Sequence, residues 1–269
     1  MTRHGISLYL RFVGVQLQSM MEYRAAFLFG AVAQALGYGA YVLLLYIMVA
    51  RFNGIAGWRP SEVTFFYGLN LFSYALAGIF CFNSFYGLGQ MIRTGEFDNV
   101  LTKPVNPFLF IAVRQFNYGY FSHLSLSVLV IGLSMAKLGI AATPVTLAVL
   151  VVIVLSGALI YAAVFVATGV PAFWLVRNEA LTSILLWNLG TFVHYPLSAF
   201  QRPVQLVFTV LLPYGFVSFF PAQFFLEHHD YVGFSPIIQY LSPVVGIAAF
   251  TLAYQFWRFG LSRYQSTGS

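Results

Sequence analysis

Seven stretches free of Asp, Glu, Lys and Arg, each 22 to 39 residues long, divide this 269-residue chain: 25–50, 63–92, 115–136, 138–176, 180–201, 203–226 and 231–257. Crossing about 30 Å of hydrocarbon takes roughly 20 apolar helical residues, so each stretch is long enough to enter a bilayer. Only 7% of the residues are charged, against about 25% in an ordinary soluble domain. Such a chain cannot solvate its own surface in water, and lipid must cover most of it. The pattern predicts an all-α polytopic membrane protein with a single transmembrane domain over 1–269.

The number of crossings follows from parity and charge. Seven full crossings would put the termini on opposite sides and split the thirteen Lys and Arg seven against six. Six spans, with 203–226 dipping in and out from the far side, put nine on one side: Arg3, Arg11, Arg24, Arg93, Lys103, Arg114, Arg177, Arg258 and Arg263. Only Arg51, Arg59, Lys137 and Arg202 remain outside. Cytoplasmic loops carry the excess of positive charge, so six spans with both termini cytoplasmic are expected. Pro196, Pro203, Pro213 and Pro221 punctuate the odd segment. Proline removes a backbone donor and bends or ends a helix, and irregular backbone at membrane depth is tolerated where protein covers it. A re-entrant hairpin over 203–226 meets both conditions; a proline-kinked ordinary span is the alternative.

Two amphipathic elements are expected beside the spans. Ile6, Leu10, Val13, Leu17 and Met20 recur at intervals of four, three, four and three, one stripe of a helix. With arginines on its polar side, 1–24 reads as an interfacial elbow. Downstream, Leu88, Met91 and Ile92 share a helical face and Gln90 and Arg93 turn away. That pattern predicts a short helix over 87–98 lying along the membrane surface, closed by Pro104 and Pro107. The charged island that follows, Arg93 to Lys103, holds two of the seven acids and two of the thirteen bases. Charge concentrated between hydrophobic hairpins suggests a docking surface for a soluble partner.

Several chemistries are excluded. There is no Gly-x-x-x-x-Gly-Lys-Ser/Thr loop to cradle ATP phosphates and no Gly-x-Ser-x-Gly elbow. No charge-free span carries the acid that a proton-coupled carrier keeps near the midplane. The bases are scattered at segment ends, which gives no nucleic-acid footprint; they suit anionic membrane headgroups. Cys81 is alone, so no intrachain disulfide forms. His228, His229 and Asp230 lack a third or fourth ligand at a fixed spacing, and no metal site is expected. Glu227, with these three, is the best acid/base cluster for the rival reading of a lipid enzyme; a carrier or flippase working without ATP is the other rival. Polar residues within spans, Gln34, Asn70, Asn83 and Asn188, suit interhelical hydrogen bonds or a translocation seam. His123 and His194 suit helix packing or the lining of such a path.

The run Met91-Ile92-Arg93, then Gly95-Glu96-Phe97-Asp98-Asn99-Val100-Leu101-Thr102-Lys103-Pro104-Val105-Asn106-Pro107, resembles the ABC-2 type transporter permeases. Within them it is closest to permeases encoded beside an ATPase and a second permease. Glu22-Tyr23-Arg24-Ala25-Ala26-Phe27 and Tyr195-Pro196 before the proline-rich segment echo the same family. The resemblance implies an ATP-driven exporter subunit in the bacterial inner membrane, moving a lipid-like or amphiphilic substrate. It further implies that this chain binds no cofactor of its own, with ATP and Mg held by ABC ATPase subunits, and that it pairs with a second permease, identical or related. A coupling helix would lie within 87–107, with Gln90, Met91, Arg93, Glu96, Phe97, Asp98 and Lys103 at the ATPase interface. Asn70, Asn83, Asn188 and His194 are the candidates for the translocation path.

Overall fold

The computed structural model describes residues 24–114, 116–117, 119–175, 179–226 and 229–265. The expected elbow over 1–24 lies outside them except for Arg24, as do Arg177, Asn178, Glu227 and His228. Among the described residues there are helices and turns and no β-strand. Five helices among the described residues are long and apolar enough to cross a membrane, or six if one bent pair is a single crossing.

Helix α1 (Arg24–Arg51) is apolar and mostly uncovered, with Leu43, Leu44 and Ile47 each more than half exposed. Helix α2 (Pro60–Tyr86) is the central post. Pro60 opens it, and Glu62 Oε2 accepts the Arg59 N–H at 2.7 Å. Proline belongs at a first helical position, where no N–H is missed, and a carboxylate satisfies an orphan donor there. Glu62 is therefore a cap at the rim of the bundle. Against α2 pack α6 (Tyr120–Leu138) and α7 (Pro144–Gly169), and α11 (Ser242–Ser262) packs on α7.

Small residues let these helices approach. A Cβ at Gly246 would fall 2.7 Å from the Ser156 carbonyl oxygen of α7, and one at Gly169 would fall 2.7 Å from that of Phe85. Close backbone contact of this kind supplies the dispersion that holds helices together where lipid is as apolar as leucine.

Three expectations change. First, 87–98 is not one helix along the membrane surface. Helix α3 (Leu88–Arg93) carries on from α2 as one apolar run, Pro60–Arg93, of 34 residues, because Gly87 keeps a right-handed conformation with φ −81°. The chain turns only at Gly95, φ +69°, to begin α4 (Glu96–Leu101). At about 1.5 Å per residue the run is about 50 Å long and overshoots a hydrocarbon core of about 30 Å. The 30-residue run Pro144–Phe173 overshoots as well.

Second, the span expected over 108–136 is interrupted between α5 (Pro107–Arg114) and α6. Asn117 donates its N–H to Ile79 O at 3.0 Å and its Nδ2 to Asn83 Oδ1 at 3.2 Å, and its Oδ1 accepts the Gly119 N–H at 3.0 Å. One asparagine thus pairs its own N–H and side chain across to α2 and satisfies the Gly119 N–H at the break.

Third, the span expected over 180–201 is a shorter apolar helix, Ala180–His194. It starts as α8 (Glu179–Thr182), widens to a π-helical turn over Ser183–Asn188, and tightens to a 3-10 turn over Gly190–His194. Tyr195-Pro196 ends it in extended backbone. The proline-rich segment is bent by 76° between Arg202–Leu211 and Tyr214–Ala222. The break falls at Leu212-Pro213, where the ring cannot continue the helix. The first limb is α9 (Arg202–Leu206) and a π-helical turn; the second contains α10 (Phe219–Ala222).

The molecule has two distinct ends. At one, Trp58 meets Ser198 (Nε1 to Oγ, 3.2 Å), Asp230 and the Phe219 ring. At the other, α3 and α4 sit beside the last turns of α7 and α11.

Candidate functional site

The charged island is built from its own motif. Gly95 supplies the left-handed turn that only glycine adopts at little cost. Glu96 pairs with Arg114 at the end of α5. Asp98 Oδ1 accepts from the Tyr264 hydroxyl at 2.9 Å. Burial, then the bond to Asp98, pushes that phenol up to about 12, so Tyr264 stays a neutral donor. Asn106 Oδ1 accepts the Phe108 N–H at 2.9 Å, which makes Asn106-Pro107 an N-cap and first turn for α5.

Beneath the motif is a knot of rings. Phe97 is fully buried and lies 5.5 Å from Phe173, 6.2 Å from Trp257 and 5.0 Å from Tyr264, centroid to centroid. Phe85 and Phe108 close on Trp257 from the other side. The overshooting ends of α2 and α7 are thereby joined to each other and to α11.

The seven residues expected at a partner interface separate into three groups. Met91 and Phe97 are buried, with Leu88 and Ile92 beside Met91, so they support the element from within and offer no surface to a partner. Gln90, Arg93 and Lys103 are exposed. Arg93 reaches Gln90 Oε1 at 2.6 Å, and Lys103 lies 5.4 Å over the Phe110 ring. Glu96 and Asp98 are partly buried and engaged within the chain.

The path candidates separate as well. A cavity of about 120 Å³ opens between α1, α2, α7 and the π-helical turn. Asn70 and His194 line it, with Tyr38, Tyr67, Tyr74, Tyr161, Trp187 and Thr191. Among the described residues no formally charged side chain does. His194 Nδ1 is 2.9 Å from the Tyr41 hydroxyl, and Tyr161 donates to Asn70 Oδ1. Asn83 lies elsewhere, on Asn117 at the break before α6, and Asn188 is exposed outside the cavity lining. Tyr67, Asn70 and Tyr74, at spacings of three and four, carried a readable one-face signal. Leu186 and Trp187 did not, because a π turn changes which residues face inward. Tyr161→Phe should leave the buried Asn70 oxygen unpaired and cost about 1–3 kcal/mol, read as a lower midpoint of thermal unfolding in detergent.

Among the described residues no group of His, Cys, Asp and Glu could hold a metal ion. His229 Nδ1 is 3.2 Å from the Tyr231 hydroxyl, and Asp230 accepts from Trp58 and from the Val232 N–H.

The family model described as ABC-2 family transporter protein matches residues 35–268. No curated protein and no solved structure matches the chain. The match runs from α1 through the last helix and includes the motif, the bent segment and the cavity. This multi-pass membrane protein therefore belongs to the ABC-2 family of transporter proteins.

Proposed function

We propose that the chain is the transmembrane permease subunit of an ATP-driven ABC-2 exporter in the bacterial cytoplasmic membrane. The observation that carries this reading is the 88–103 element, continuous with α2, joined by Phe97 to the ends of the Pro144–Phe173 run and α11, and presenting Gln90, Arg93 and Lys103 outward. A chain without a phosphate-binding loop needs a separate ATPase, and that subunit holds the ATP and Mg. Two permeases, identical or related, pair in the membrane. Closure of the ATPase pair pushes on α3 and α4, and the ring knot passes the push into α2, α7 and α11.

The excess of Lys and Arg supports a cytoplasmic position for the 88–103 end and both termini. The 203–226 segment is then an external re-entrant hairpin. The uncharged cavity between Tyr38 and Trp187, with Asn70 and His194 in its wall, belongs to the translocation path. Aromatic faces with scattered hydroxyl and amide groups, and no formally charged side chain among the described residues that line the cavity, suit a lipid-like or amphiphilic substrate.

Affinity purification of the tagged chain in mild detergent, with mass spectrometry of its partners, tests the reading. A Walker-motif ATPase should co-purify and be lost when Arg93 and Lys103 are both changed to Glu. A chain that purifies alone in every salt and detergent would overturn the exporter reading.

A further inference from the structure

A second lined space lies beside the cavity, on a neighbouring face of α1. Between α1, α2 and α6, toward the Trp58 end, a groove of about 340 Å³ is open to the outside. Val42, Leu43, Leu126, Leu129 and Leu133 form its walls. Thr64 and Ser134 also line it, but their hydroxyls lie 3.1 Å apart and satisfy each other. The groove is therefore apolar along its length. Gly39 marks its deep end, where an added Cβ would meet nothing within 4 Å.

Its other end is charged. Lys137, one residue before the end of α6, lies with Nζ 3.5 Å from the Tyr46 hydroxyl and 4.5 Å over the Tyr46 ring. It is exposed, and among the described residues it has no carboxylate partner. From Leu126 to Lys137 the groove follows α6 for about 16 Å at 1.5 Å per residue. That is about half of a hydrocarbon core of about 30 Å, the depth of one leaflet. A cation beside a tyrosine then sits at headgroup level, the position where long basic side chains settle.

We propose that this groove binds one phospholipid of net negative headgroup charge in the leaflet at the Trp58 end. One acyl chain runs along Leu133, Leu129 and Leu126 toward Gly39. The phosphate accepts from the Lys137 ammonium and from the Tyr46 hydroxyl. Charge complementarity selects the headgroup, and the one-leaflet depth selects a lipid over a soluble anion. The site does not depend on ATP-driven transport, and its test needs no transport assay.

The full chain, reconstituted in bilayers of equimolar phosphatidylcholine and phosphatidylglycerol and re-extracted in mild detergent, is analysed for retained lipid by mass spectrometry. The retained ratio of phosphatidylglycerol to phosphatidylcholine should be about five to one against one to one in the bilayer, the preference that one basic residue near a charged surface supports. Lys137→Gln should bring the retained ratio back to that of the bilayer. Gly39→Leu should lower phosphatidylglycerol retention with Lys137 intact, which separates a built site from a charge at the surface. Enrichment that survives Lys137→Gln, or no enrichment in the unaltered chain, would overturn the proposal. Loss of a dimeric species on Lys137→Gln, with lipid unchanged, would give the groove to a second copy of the chain and overturn it equally.

Discussion

Phe97→Ala should free the 88–101 element from the helices that carry it, at a cost of about 3–5 kcal/mol. The ring is fully buried and touches Phe173, Trp257 and Tyr264. Its loss leaves a hole between three elements that no single neighbour can fill. The Glu96–Arg114 pair cannot compensate. Both side chains are about 40% exposed, and a pair so open to water contributes about 0–1 kcal/mol. Hydrogen exchange is the discriminating measurement. Amides of 96–101 should lose protection while the opposite half of α11, near Ser242, keeps it. Phe97→Leu should restore most of the protection, and Gln90→Ala, at an exposed position, should fall within about 0.5 kcal/mol of the unaltered chain. In the exporter reading, Phe97→Ala also keeps ATPase binding and loses its coupling to transport, because the contact surface survives and its anchorage does not. Unchanged exchange at 96–101 would show that the ring knot does not hold the element.

The membrane class, the long helices and the division of Leu88, Met91 and Ile92 from Gln90 and Arg93 were all legible in the sequence. Each is a matter of how many apolar residues follow one another and at what spacing. The motif was visible as a pattern, but its division of labour was not. Charge drew attention to Glu96 and Asp98 as partners for another protein. In three dimensions Arg114 and Tyr264, 18 and 166 residues away in sequence, already engage them. The division of the 87–98 region into two helices, the first continuous with α2, was missed for a related reason. A glycine at 87 looks like a stop, yet its backbone stays helical, and the turn falls to Gly95. Half of the cavity could be read from Tyr67, Asn70 and Tyr74 on one face of α2. The other half depends on a π-helical turn over Ser183–Asn188, and periodicity arguments assume 3.6 residues per turn. The break before α6 was also hidden, since Asn117 bonds there to Ile79 and Asn83 of α2, partners that sequence spacing does not reveal.

Gly246→Val should sharply lower the unfolding midpoint of the chain in detergent, whereas Gly132→Ala should leave it as stable as before or slightly more so. Both glycines lie inside membrane helices, and composition treats them alike. At Gly132 a Cβ meets nothing within 4 Å. Alanine there removes the conformational freedom of glycine from the unfolded chain, worth roughly 0.5–1 kcal/mol. At Gly246 the new Cβ would lie 2.7 Å from the Ser156 oxygen and 3.3 Å from the Ser156 Cα. Those atoms are backbone and cannot rotate aside, so α7 and α11 must separate. Overpacking a tight contact costs about 1–3 kcal/mol and occasionally more, and separation here also opens every contact along the crossing. Part of that loss falls on Trp257, which α11 contributes to the ring knot under 88–101. A graded series at Gly246, Ala then Val, should therefore lower the unfolding midpoint stepwise and expose the 96–101 amides in parallel. If Gly246→Val melts like the unaltered chain, the α7–α11 crossing does not rest on backbone proximity, and the rigid connection from the 88–103 element into the spans loses its support.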